Sequence, residues 1–173
     1  MIKLFVAGDF HVPDRAPDIK PWILDLIKEE KPDYFLITGD LTDGSVLKYF
    51  PKDRTYVVQG NVDQNNYPLL IELKFGPYDM VLTHSHKVMP RGDKEQLAAI
   101  ANVLRANVLI YGHTHKRKIE EYKGVLLLNP GTAAGAVSGA LTPNPSSVMI
   151  LEIGPPMKVK LYTEGKLEKE YIY

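Results

Sequence analysis

The stretch IKLFVAGDFH, residues Ile2 to His11, joins an apolar run of strand length directly to polar side chains. The run from Ile2 to Ala7 is typical of a buried strand. Gly8 ends the run, and Asp9 and His11 follow shortly after it. Ligands bind at the carboxyl ends of strands in open α/β sheets, so this ending predicts a site if other strands end in the same way.

The first half of the chain alternates strands with a helix. Apolar runs predict strands at Tyr34–Thr38 and Tyr56–Gln59. Between the first two strands, apolar residues of Pro17–Glu30 recur at helical spacing, and Pro21 suits the first turn of a helix. Because alternation of this kind implies parallel strand pairing, we expect an α/β fold.

The second half is predicted to be mostly strand. Gly76 and Pro77 mark a hairpin turn, and Asp93 begins a helix that runs towards Leu104. The end of the chain, Tyr171 to Tyr173, could be an edge strand, a subunit contact or core, and we favour core. Further strands are predicted at Val108–Tyr111, Val125–Leu128, Val148–Ile153, Val159–Tyr162 and Leu167–Tyr173.

Composition excludes several kinds of protein. The 173 residues include 21 acidic and 21 basic side chains, so the overall charge gives no attraction to nucleic acid or an anionic membrane. Cysteine is absent, which excludes disulfides, thiolate ligands and a cysteine nucleophile. Every apolar stretch is shorter than the roughly 18 residues that span a bilayer. We expect a cytoplasmic protein with one domain over residues 1–173.

Metal-ligand side chains follow several predicted strands, within a residue or two of the point where each strand ends. All five histidines belong to three short segments, each with two such side chains separated by one residue. Imidazole and carboxylate groups are the ligands that Zn, Mn, Fe, Co and Ni accept. The candidate ligands are Asp9, His11, Asp40, Asn61, His84, His113 and His115.

Taken one at a time, these residues have ordinary structural explanations. Asp9 and Asn61 are common turn formers, and Asp43 favours a helix-capping role. His113 and His115 are the hardest to explain structurally, because two polar rings at a strand exit have little packing value. Unrelated turn residues have no reason to recur at successive strand ends, so the joint pattern predicts a metal site.

The motifs resemble those of the calcineurin-like metallophosphoesterase superfamily, in the same order along the chain. They stand here as Gly8-Asp9-Phe10-His11, Gly39-Asp40, Gly60-Asn61-Val62-Asp63, Thr83-His84-Ser85-His86 and Gly112-His113-Thr114-His115, followed by Asn129-Pro130-Gly131-Thr132. A closer resemblance, through His11-Val12-Pro13 and Pro90-Arg91-Gly92-Asp93, is to a subgroup with small prokaryotic phosphodiesterases and the retromer subunit Vps29. The resemblance implies two packed mixed β-sheets flanked by helices, a four-layer α/β/β/α sandwich.

The resemblance also implies a dinuclear site and its chemistry. One divalent ion would be held by Asp9, His11, Asp40 and His115, and the other by Asp40, Asn61, His84 and His113. Mn is the first expectation, with Zn, Ni, Fe or Co as alternatives. The implied reaction is hydrolysis of a small phosphodiester, or of an activated phosphomonoester, by a hydroxide that bridges both ions. The catalytic residues would be Asp40, Asn61 and a substrate-facing or supporting His86.

Two departures from the family pattern qualify the expected activity. Val62 occupies the place of a histidine that can protonate the leaving group, so diesters with good leaving groups are favoured. Ser85 stands where relatives usually have glycine. The alternative function is a Vps29-like scaffold, but the retromer subunit departs from the enzyme pattern at the positions of Asp40 and Asn61, which favours an enzyme here. Homo-oligomerisation stays open.

Overall fold

Two β-sheets form the centre of the molecule. The computed structural model describes residues 1–135 and 144–173. Within these residues, one sheet consists of β1 (Ile2–Ala7), β2 (Tyr34–Ile37), β3 (Thr55–Val57), β9 (Ser147–Ile153), β10 (Lys158–Thr163) and β11 (Lys166–Ile172). The other consists of β4 (Leu70–Phe75), β5 (Tyr78–Thr83), β6 (Val108–Ile110), β7 (Lys118–Tyr122) and β8 (Val125–Asn129). The helices are α1 (Pro21–Glu30) and α2 (Lys94–Val103).

Both sheets are mixed. The six-stranded sheet has the order β11-β10-β9-β1-β2-β3, in which β1, β2 and β3 are parallel and the remaining pairs are antiparallel. The five-stranded sheet has the order β4-β5-β6-β8-β7, in which β5, β6 and β8 are parallel. Parallel strands end at the same edge of a sheet, so each sheet presents several carboxyl ends together.

Alternating side chains of β1 separate two of the hydrophobic cores. Leu4 and Val6 lie in a core with Met80 and Leu82 of the opposite sheet, whereas Phe5 lies in a second core that includes residues of α1. This is the period of two expected of a strand buried on both faces. A third core joins α2 to the outer face of the five-stranded sheet. The layers are therefore helix, sheet, sheet and helix, which confirms the α/β sandwich.

Helix boundaries differ from the predicted ones in two places. Helix α1 begins at Pro21, later than the predicted start at Pro17, and Pro21 occupies its first turn. Asp43 precedes a 3₁₀ turn at Ser45–Tyr49, where its carboxylate accepts a hydrogen bond from the Ser45 backbone N–H at 2.8 Å. Asp93 caps α2 as predicted, since its side chain accepts from the backbone N–H of Gln96.

Two strands at the sheet edges correct the sequence interpretation. The apolar pattern did not predict β7, Lys118–Tyr122, because an edge strand needs few buried side chains. The C-terminal β11 is also an edge strand, and the preference for core was wrong for Ile172, which is 51% exposed. Tyr171 and Tyr173 are partly buried against the core between the sheets. Among the described residues, no helix is long and apolar enough to cross a membrane.

Candidate metal centre

The carboxyl ends of parallel strands from both sheets meet at one buried site. Asp9 and His11 follow β1, Asp40 follows β2 and Asn61 follows β3 in the six-stranded sheet. His84 follows β5, and the segment of His113 and His115 follows β6, in the five-stranded sheet. The structure thus brings all seven predicted ligands to the junction between the two sheets.

A first cluster contains Asp9, His11, Asp40 and His115, whose potential ligand atoms all lie within 4.8 Å of one another. All four residues are buried. The Nε2 atoms of His11 and His115 face each other at 3.1 Å. His115 Nε2 also lies 3.3 Å from Asp9 Oδ1.

A second cluster contains Asp40, His84 and His113, again with ligand atoms within 4.8 Å of one another. His84 Nε2 lies 3.3 Å from Asp40 Oδ2 and 3.1 Å from Asn61 Oδ1, so Asn61 adjoins this cluster. The other ring nitrogen of His84, Nδ1, donates to the Thr38 carbonyl at 2.7 Å. Histidines that bind metals commonly donate their second N–H in this way, because it directs the remaining nitrogen to the ion.

The donor set fits divalent metal ions. Asp9 Oδ1 is buried and accepts no hydrogen bond of good geometry from the described residues, although His115 Nε2 lies 3.3 Å away, and this is costly for a carboxylate oxygen. The facing Nε2 atoms of His11 and His115 need a proton or a cation between them, since two imidazole lone pairs repel each other. Nitrogen and oxygen donors of these types suit Zn, Mn, Fe, Co and Ni.

The backbone at the site is strained. Five of the candidate ligands have positive φ values: 51° at Asp9, 47° at His11, 55° at Asp40, 70° at His113 and 60° at His115. A residue other than glycine pays roughly 1–2 kcal/mol for this left-handed conformation. Strain of this kind persists where surrounding contacts enforce it, and it is typical of functional sites.

Asp63 provides many of those contacts around Asp40. Its carboxylate accepts hydrogen bonds from four backbone N–H groups, those of Asp40 at 3.0 Å, Leu41 at 2.6 Å, Thr42 at 3.1 Å and Gly60 at 2.8 Å. Gly60 is needed here, because a Cβ atom on it would lie 2.1 Å from Asp40 Oδ1. Asp63 belongs to a quoted motif, but sequence reasoning gave it no role.

Asn129 and Gly131, which belong to the last of the quoted motifs, hold the His113 loop in place. The Asn129 side chain donates to the Gly112 carbonyl at 3.2 Å and to Thr114 Oγ1 at 2.9 Å. Its Oδ1 accepts from the Gly131 backbone N–H at 2.9 Å. The end of β8 is thereby tied to the turn that carries His113.

Burial and neighbouring charges shift the pKa values of the candidate ligands in different directions. Burial opposes ionisation of Asp9, but the close imidazoles of His11 and His115 hold its pKa well below its usual range. Burial also opposes the charge on His84, yet its contacts with Asp40 and Asp9 raise its pKa to about 9.

His113 is shifted the other way, because burial and the positive charge of His84 lower its pKa to about 4. His113 is therefore neutral at pH 7, the form in which histidine binds a metal, whereas His84 retains a proton that a metal would displace.

His86, Val62 and Ser85 border the second cluster. The His86 ring is half-buried, and its centroid lies 5.6 Å from that of His84 and 6.4 Å from that of His113. Burial and the charge of His84 lower the pKa of His86. Val62 contributes a backbone N–H, which donates to Asp40 Oδ1 at 3.1 Å. Ser85 is buried with a φ of 70°.

Comparison with known proteins identifies the family. Residues 2–154 match the family model described as the calcineurin-like phosphoesterase superfamily domain. The chain belongs to this superfamily. The strand-end motifs are therefore those of a calcineurin-like phosphoesterase fold, as their order in the sequence implied.

Relatives that match nearly the whole of this chain include Vps29 proteins. The chain is 31% identical to vacuolar protein sorting-associated protein 29 of Schizosaccharomyces pombe, over 98% of this chain and 89% of the relative. It is 32% identical to Entamoeba histolytica Vps29 complexed with zinc, with a TM-score of 0.88 and 99% of each chain covered. A structure described as a novel archaeal phosphodiesterase shares the fold, with a TM-score of 0.71, 21% identity, and coverage of 94% of this chain and 99% of that one.

Proposed function

We propose that this chain is a metal-dependent phosphodiesterase. The observation that supports this most strongly is the position of Asp40, whose carboxylate belongs to both clusters. A carboxylate has two oxygens, so one side chain can bridge two cations and hold them at a fixed separation. A single structural metal would need only four ligands, whereas this site offers seven.

In this proposal two divalent ions occupy the two clusters. Asp9, His11, Asp40 and His115 would hold the first, and Asp40, Asn61, His84 and His113 would hold the second. Mn is the first choice, with Zn, Ni, Fe or Co as alternatives. The zinc complex of Entamoeba histolytica Vps29, a relative at 32% identity, supports divalent-metal binding in this part of the family.

The charges of the proposed ligands determine how much positive charge the bound metal ions would keep for the substrate phosphate. Bound divalent ions would activate water and stabilise the oxygens of an in-line displacement at phosphorus. Asn61 is a neutral ligand, so it leaves more positive charge for an anionic phosphate than an aspartate would. Asp9 and Asp40 are ionised at pH 7, because their contacts with histidines lower their pKa values despite burial.

Few side chains near the proposed site could protonate the leaving group. Val62 has no proton to donate, and His86, beside the second cluster, is the histidine that lies outside the proposed ligand set. We propose that His86 faces the substrate. Phosphodiesters whose leaving groups are stable anions should therefore react fastest, and activated phosphomonoesters more slowly.

A matched pair of variants tests the proposal. Protein loaded with Mn should hydrolyse bis(p-nitrophenyl) phosphate. Asp40→Asn should lower the rate by at least about a hundredfold, because mutation of a residue that only hydrogen-bonds to a metal ligand already lowers activity by roughly 10- to 100-fold. Asp43→Asn is the control, because Asp43 lies in the same loop but outside both clusters. Equal rates for wild type and Asp40→Asn would refute the proposal.

A second candidate function is that of a protein-binding subunit like Vps29. It is favoured by the 31% identity to the Schizosaccharomyces pombe protein over nearly the whole chain. Chaetomium thermophilum Vps29, 25% identical with a TM-score of 0.79, has been crystallised with a cyclic peptide. Two results together would favour this function over hydrolysis. The tagged chain would co-purify with a stoichiometric partner protein, and its Mn, Zn, Ni and Co forms would hydrolyse neither diesters nor monoesters.

A further inference from the structure

A basic groove lies between β7 of one sheet and the β10–β11 hairpin of the other, and its lining includes Lys116, which directly follows the proposed ligand His115. Its volume is about 400 Å³. Four of its lining residues are cationic and one is acidic: Lys116, Arg117, Lys118, Lys169 and Glu168. The chain as a whole has no net charge, so this concentration of positive charge is local.

Two cations of the groove have no acidic partner among residues 1–135 and 144–173. Arg117 Nε donates to Glu168 at 2.8 Å, and Lys118 Nζ lies 2.7 Å from Glu120. Lys116 and Lys169 form no ion pair with any residue in the described part of the chain. Their charges are therefore available to a bound anion.

Neighbouring lysines on the same hairpin behave differently. Lys158 lies 3.5 Å from Glu170, and Lys160 lies 2.6 Å from Glu152. Cross-strand pairing with glutamate therefore neutralises both lysines of β10. On β11, Lys166 and Lys169 form no such pair with any described residue, and of these two only Lys169 lines the groove.

The groove is held at a fixed place relative to the metal centre. Lys116 directly follows the proposed ligand His115, and the Cα atom of Lys118 lies at most about 11 Å from that of His115, since three residues span no more. Lys118 pairs with Asn129, which is tied to the His113 loop. The backbone of Arg117 approaches Gly131 so closely that a Cβ atom there would lie 3.3 Å from Arg117 N.

We propose that this groove binds a second phosphate group of the substrate, with Lys116 and Lys169 as its main contacts. The preferred substrates are then phosphodiesters that carry a further phosphate close to the scissile one. This inference rests on the proposed phosphodiesterase function, because the scissile phosphate must occupy the metal centre. Lysine suits this role as a mobile point charge that needs no fixed phosphate geometry.

Two nucleotides that differ by one phosphate test the groove directly. Isothermal titration calorimetry of Mn-loaded protein would compare the affinities for adenosine 3′,5′-bisphosphate and adenosine 5′-monophosphate. The bisphosphate should bind about tenfold more tightly, since each of two exposed ion pairs contributes up to about fivefold. The double variant Lys116→Gln, Lys169→Gln should reduce the preference to less than about twofold by removing both pairs.

The control variant is Lys52→Gln, Lys166→Gln, which removes the same charge from two exposed lysines outside the groove. It should keep the preference. An equal affinity of wild type for the two nucleotides, or the same loss of preference in both double variants, would overturn the groove assignment.

Hydrolysis of bis(p-nitrophenyl) phosphate by the same preparations separates the two claims. Normal hydrolysis without a bisphosphate preference would overturn the groove and leave the proposed function intact. A preference that depends on Lys116 and Lys169, without hydrolysis of any diester, would support phosphate binding in the groove and refute the phosphodiesterase function.

Discussion

The two clusters of the proposed metal centre share Asp40 but differ in their access to solvent. In the first cluster, Asp9, His11 and His115 are all buried, with exposed fractions of 4% or less. In the second, His84 and His113 are also buried, but the adjoining Asn61 is exposed and the neighbouring His86 is half-buried. The first cluster is therefore suited to retain a metal, and the second to admit a substrate.

The clusters also differ in charge. The first has the Asp9 carboxylate in addition to Asp40, whereas the second adds a neutral amide, Asn61, and a histidine of low pKa, His113. A cation in the second cluster would thus keep more of its positive charge for a phosphate. Variants that affect one cluster at a time can separate these roles.

Asp9→Asn should have the largest effect, because it removes a carboxylate that only the first cluster uses. Mn content should fall from about two ions per chain to about one, and diester hydrolysis should fall by at least about a hundredfold. Metal analysis by mass spectrometry and a rate assay would measure both. Unchanged Mn content would show that the first cluster does not bind metal.

Asp63→Ala should destabilise the loop that presents Asp40 to both clusters. Four backbone N–H groups lose their acceptor, so the free energy of unfolding should fall by about 3 kcal/mol. Urea denaturation of the metal-free protein would measure the loss. Asp53→Ala, an exposed acid in a 3₁₀ turn, serves as the control and should change stability by less than about 0.5 kcal/mol. Equal effects of both substitutions would contradict the role assigned to Asp63.

Asn61→Ala should weaken only the second cluster. The affinity for the second Mn should fall by about tenfold, while the first ion binds as in wild type, because the Asn61 side chain lies 3.1 Å from His84, a residue of the second cluster. Titration calorimetry with Mn resolves two binding steps if the sites differ in affinity. A loss in the tighter step instead would reverse the assignment of Asn61.

Ser85→Gly should have the smallest effect. Glycine removes the strain at a φ of 70° but increases the entropy of the unfolded chain, so stability should rise by about 0.5 kcal/mol. Arg105→Gly, at a φ of 56° away from the site, is the matched control and should give a similar gain. Thermal unfolding measures both. A loss of stability in Ser85→Gly alone would show that the serine hydroxyl stabilises the His84 loop.

Much of the fold and the proximity of the candidate ligands could be predicted from sequence. Strands such as β1 are read from their apolar runs, and residues that follow parallel strands must meet at one sheet edge. That reasoning placed Asp9 and Asp40 together. It required only local patterns and one rule of topology.

Features that depend on contacts between distant segments could not be predicted. Asp63 reaches the backbone of Asp40, which lies 23 residues earlier in the chain. Lys116 and Lys169 enter one groove only because β7 and β11 lie at neighbouring sheet edges. Three of the five residues of β7 are charged, because an edge strand buries few side chains and so leaves little hydrophobic signal in the sequence.

The stoichiometry of Mn binding tests the central claim most directly. Equilibrium dialysis of the metal-free protein against Mn should give about two ions per chain for wild type and fewer than one for Asp40→Asn, because Asp40 is the ligand that both ions share. A single ion bound by wild type, or two ions retained by Asp40→Asn, would contradict the proposal that Asp40 bridges two metals.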